Sequence, residues 1–108
     1  MATYPKTVVS GVFNHRIEFV SPSGQSLTSF SARVWWRPAL SRVVEVEGEV
    51  YSQEVDEVVV RYNPQTAQLT NQWRILDLES GNRNMDIQRI FQPHGPRTYY
   101  VLRISAVS

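Results

Sequence analysis

A chain of 108 residues that is 42% hydrophobic and 19% charged has room for one domain core and is too apolar to stay disordered. It contains no cysteine, which excludes a disulfide framework and a thiolate metal site. The net charge is only +1, but it is unevenly spread. Between Arg42 and Arg61 there is no Lys or Arg, and Glu45, Glu47, Glu49, Glu54, Asp56 and Glu57 give that interval a charge of −6. One acidic segment interrupts a basic body.

In chain order, the opening "MATYPKTVVSGVFNHR" has no long apolar segment and no small-residue cleavage site, and nowhere do about 18 apolar residues run together. This predicts a soluble, unexported chain with no membrane partner. "HRIEFVS" places Ile17 and Phe19 on one face of a first strand, and Ser21 to Ser26 form a Pro- and Gly-containing turn. "LTSFSARVWWRP" alternates, with Phe30, Ala32, Val34 and Trp36 on one face. Ser29, Ser31, Arg33 and Trp35 lie on the other, and Pro38 is expected to stop the strand.

Residues 39–57 are expected as a long loop inserted in a single 1–108 domain, with a short helix over 39–52 as the alternative. Within it, Glu45, Glu47 and Glu49 fall on one side of an extended chain, until Gly48 breaks the pattern. Val58, Val60 and Tyr62 then share a face in a strand at 57–63, and Asn63-Pro64 begins a turn. "NQWRILDLE" alternates Trp73 and Ile75 against Arg74 and Leu76. "SGNRN" turns the chain, and "MDIQRIF" and "RTYYVLRISAV" are two further strands separated by "QPHGP". Six or seven antiparallel strands at hairpin spacing predict an all-β fold, a small barrel or sandwich.

No catalytic motif, phosphate-binding glycine loop or zinc-protease signature is present. His15 and His94 sit in different elements and read as ordinary surface or turn residues. Asp77 and Glu79 share a face by alternation, but two acids beside a turn are ordinarily solvated. The chain is not expected to be an enzyme, and no cofactor or metal is expected. Two non-catalytic roles remain. Arg33, Trp35 and Arg37 on one strand face, and Tyr99, Val101 and Arg103 on another, interleave aromatics with arginine. A single-stranded nucleic-acid platform needs that pattern, and so does a protein interface. The acidic interval opposes a phosphate backbone.

The order "HRI", "ARVWWRP", a long segment, "VVVRYNPQTAQLTNQWRI", a glycine turn, "MDIQRI" and "RTYYVLRIS" resembles the head closure (head-tail joining, or stopper) family of tailed bacteriophages. Arg61, Tyr62, Pro64, Trp73, Arg74, Ile75, Gly81, Ile87 and Ile90 match the pattern. The resemblance implies a virion protein of the phage neck, made in the host cytoplasm. It implies a homo-oligomeric ring, with a portal or adaptor ring on its head side and a tail terminator or tail tube protein on its tail side. Packaged DNA would pass through the ring without sequence-specific binding. It further implies that the long loop, with Glu45, Glu47, Glu49, Glu54, Asp56 and Glu57, faces the channel and gates DNA. Trp35, Arg33, Arg37, Tyr99 and Arg103 are the candidate subunit or partner contacts, from outward alternation. The alternatives are an oligonucleotide-binding β-barrel and another neck or tail ring such as the tail terminator.

Overall fold

The structure, a computed structural model, describes residues 4–24 and 27–106, without the side chains of 38–46, 49–55 and 106. Six antiparallel strands close into a barrel in the order β1-β2-β3-β6-β5-β4. They are β1 His15–Val20, β2 Phe30–Val46, β3 Glu49–Val60, β4 Arg74–Asp77, β5 Arg83–Phe91 and β6 Tyr100–Ala106. Closure comes from β1, which pairs with β2 on one side and β4 on the other. A barrel leaves no edge strand around its wall.

Period-two alternation builds the interior. Ile17 and Phe19 from β1, Val34 from β2, Val58 and Val60 from β3, and Ile75, Met85, Ile87, Leu102 and Ile104 from the later strands form one core with Trp73. Phe30, Ala32 and Trp36 pack against it, on the face that the alternation assigned to them. Among the described residues, no helix is long and apolar enough to cross a membrane.

Three local expectations change. Pro38 does not stop β2, which runs on to Val46. The β2/β3 register shifts between Arg37, opposite Glu57, and Leu40, opposite Val55, so β2 carries an extra residue there. A bulge is where a strand tolerates a residue that cannot donate to the ladder. The 39–57 connection has the backbone of a two-stranded ribbon rather than a helix, paired from Leu40↔Val55 to Val46↔Glu49. Its tip is Glu47-Gly48, both with positive φ (52° and 81°), as a tight two-residue hairpin turn requires. Finally, β3 ends at Val60. Tyr62 is exposed rather than on the core face of Val58 and Val60, because the chain leaves the sheet to enter the Asn63 turn. There Asn63 Oδ1 accepts from the amides of Gln65 and Thr66, both at 2.9 Å, and Thr66 Oγ1 donates to the Arg61 carbonyl at 2.7 Å.

Candidate functional site

The outward residues of β2, β3, β6 and β5 form two cross-strand rows. One is Trp35, Val59, Val101 and Phe91, and the next is Arg37, Glu57, Arg103 and Arg89, each residue opposite its neighbour in register. Directly opposed side chains are the contacts through which sheets gain stability. The first row joins a second, smaller apolar cluster outside the barrel, with Phe13 and Tyr99 buried in it and Tyr4, Val8 and Val12 packed on it. The segment from Tyr4 to Phe13, which includes a single 3-10 turn at Ser10–Val12, therefore lies as a strap across this face. His94 Nε2 meets the Tyr4 carbonyl at 2.7 Å, and the Tyr99 hydroxyl donates to the Pro5 carbonyl.

In the second row Glu57 is fully buried. Its Oε1 lies 3.6 Å from Arg37 Nη1, its Oε2 lies 3.4 Å from Arg103 Nε, and the Tyr4 hydroxyl donates to Oε2 at 2.5 Å. A buried carboxylate is tolerable when cations and a hydrogen-bond donor compensate it. Burial and the Glu57 bond raise the Tyr4 phenol above its ordinary value, and burial raises that of Tyr99, so both remain donors at neutral pH. The guanidinium of Arg37 sits 5.0 Å from the Trp35 ring and 5.1 Å from that of Tyr4, and that of Arg103 sits 5.3 Å from Phe91.

This arrangement changes the roles expected of several residues. Glu57 is not available to a channel, because its charge is enclosed and neutralised within the chain. Tyr99 is not an exposed contact, because the strap covers it. Trp35 is half-buried under the same cover, while Arg37 and Arg103 are committed to Glu57. Arg33 alone of the five candidates is exposed. Of the other acids, Glu47 is exposed at the ribbon tip, and Asp56 Oδ2 accepts a hydrogen bond from Trp36 Nε1 at 3.1 Å. The side chains of Glu45, Glu49 and Glu54 lie outside the described residues.

A second polar cluster lies on β1 and β4. Asp77 is buried, 2.6 Å from His15 Nε2 and 3.5 Å from Arg83 Nη2, and it accepts from the Glu79 amide at 3.2 Å. Burial disfavours its ionisation, but hydrogen bonds from His15, Ser80 and the Glu79 amide, with the His15 charge, outweigh that. The carboxyl lies below its ordinary 3.8. His15 is thus more than a surface residue: it holds Asp77 and lies 4.7 Å from the Trp36 ring. Glu79 instead accepts from the Arg16 amide at 2.5 Å. A carboxylate held by His15 and Arg83 and kept ionised is poorly placed as a general acid, which needs a raised value.

A third feature had no signal in the sequence, because its residues come from three distant stretches. Lys6 of the strap, Arg61 after β3 and Arg97 before β6 line one open groove of about 350 Å³. No protein family, curated protein or solved structure matches this chain.

Proposed function

We propose that this chain is a ring-forming structural protein of a tailed-phage neck, closing the DNA-filled head and offering the tail its attachment surface. The observation that carries the proposal is the ribbon. β2 pairs with β1 only from Phe30 to Val34, and β3 pairs with β6 only from Asp56 to Val60. The segments from Leu40 to Val46 and from Glu49 to Val55 therefore extend about 20 Å further as a two-stranded arm. A lone two-stranded ribbon is marginal in water, and its carboxylates and its outer edges, unpaired among the described residues, make sense when neighbouring copies surround it.

In a ring, the acids of the ribbon repeat once per subunit, and an acidic lumen repels DNA phosphates. The genome then meets a wall to which it does not adhere, and the ribbons act as a physical gate. No catalysis is required of this role. A single-strand-binding barrel would need several exposed aromatic faces for stacking. Of the aromatics expected to form such a platform, Tyr99 is buried and Trp35 half-covered, which leaves the exposed Tyr62 beside Arg61 for that role. The test is genetic. Particles made without the protein should lose packaged DNA and fail to join tails, and supplying it in trans should restore both; filled, tailed particles in its absence would refute the role.

A further inference from the structure

We propose that the basic groove at the C-terminal end of β3 is the seat for the acidic ribbon tip of a second copy of this chain. The inference rests on the ring of the preceding subsection, for which it supplies the contact between subunits. A closed ring needs two different patches per subunit, each complementary to the other, in head-to-tail contact.

The two patches lie at opposite ends of one strand. Glu49 opens β3 beside the Glu47-Gly48 turn, and Val60 closes it beside Arg61. Twelve residues of strand span about 35 to 40 Å, close to the 42 Å longest dimension of the fold. Tip and groove of one chain therefore cannot meet, whereas those of adjacent copies can. Their charges are opposite. The groove gathers Lys6, Arg61 and Arg97 with Tyr62 and the hydroxyls of Thr7, Ser10 and Thr98, and among the described residues no carboxylate lines it. Arg61 is steadied by Phe13, whose ring centre lies 4.5 Å from the guanidinium carbon. The tip presents Glu47, exposed, with Glu45 and Glu49 flanking it in sequence.

Backbone strain marks the same two places. Among the described residues, three non-glycine positions have left-handed φ: Glu47 at 52°, Asn82 at 58° and Arg97 at 63°. Asparagine is at home there, but Glu and Arg are not. A charged residue kept where Asn or Gly would cost less points to a use for the charge. The acid stands at the tip and the base at the groove. A ribbon lying along the ring wall with its tip seated would leave the channel open, and an unseated ribbon would be free to cross it.

The test uses the purified full chain. Sedimentation at low ionic strength should show self-association that salt weakens. Glu47→Asn and Arg97→Asn both relieve backbone strain, so they should keep the fold while weakening association. Glu47→Lys and Arg97→Glu should each weaken it about tenfold, and the two together should return it to within about threefold of wild type. Because the chain has no cysteine, trapping has no background. Glu47→Cys combined with Arg97→Cys should give a disulfide ladder beyond dimers on mild oxidation, where each single variant stops at dimers. A double-cysteine chain that also stops at dimers, or association indifferent to both charge reversals, would overturn the seat. Neither result touches the neck location, which is read in particles.

Discussion

Tyr4 and Glu57 stand 53 positions apart in sequence, and the Tyr4 hydroxyl donates a 2.5 Å hydrogen bond to Glu57 Oε2. That bond fastens the N-terminal strap to the middle of β3, at the point where the barrel wall gives way to the ribbon. The same carboxylate holds Arg37 on β2 and Arg103 on β6. One buried acid thus ties three strands and the strap together at the base of the arm.

Glu57→Ala would leave two arginines facing each other without their shared counter-ion. Loss of one partner from a buried ion pair costs about 3 kcal/mol or more, so urea denaturation should show a loss of that size. Tyr4→Phe keeps the ring and removes only the hydroxyl, and should cost about 1 kcal/mol. Equal effects from the two variants would contradict the central place given to Glu57.

Of the three tryptophans, Trp35 belongs to the outer cluster and Trp73 to the barrel core. Trp73 is buried in the core, and Trp73→Ala should cost about 3 to 5 kcal/mol. Trp35 is half-covered and packs under the strap. Trp35→Ala should leave the barrel folded, at a cost of about 1 to 2 kcal/mol, and should speed proteolysis N-terminal to Asn14. Global unfolding on losing Trp35 would place it in the main core instead.

Asp77 sets an acid limb of stability. Its folded-state value lies below 3.8, so its contribution is present above the unfolded-state value and fades as pH falls through the folded one. Wild type should therefore be more stable than Asp77→Asn at pH 6, and the gap should shrink steadily on acidification below about pH 4. A gap that stays constant with pH would show that Asp77 acts by packing alone. Denaturant midpoints across pH read this directly.

If the ribbon keeps DNA from adhering, reversing its tip should create adhesion. Glu45→Lys, Glu47→Lys and Glu49→Lys together should give the purified protein salt-sensitive binding to duplex DNA, where wild type shows little. In particles the same variant should slow DNA release. Tight, salt-resistant DNA binding by the wild-type chain would argue against a non-adhesive lumen.

Much of the barrel was legible because alternation is a local signal. Ile17 with Phe19, Phe30 through Trp36, and Trp73 with Ile75 announce their strands and their inward faces within a few residues. What alternation cannot carry is the pairing order. Nothing local says that β1 closes onto β4, or that β3 sits between β2 and β6. Glu57 looked like one more acid of an acidic run because its partners Arg37 and Arg103 lie 20 residues before it and 46 after it. The strap was unreadable for the same reason, since Tyr4 and Phe13 find their contacts on strands far along the chain. Pro38 misled because a proline normally ends a strand, and here a bulge absorbs it.

The most direct test of the neck assignment is to image purified tailed particles carrying a tagged copy of this protein and to locate its density. The assignment predicts a ring between head and tail, with the β2–β3 ribbons lining or crossing the central path and the strap on the barrel's outer face. Density elsewhere in the particle, or particles that contain none of the protein, would contradict it.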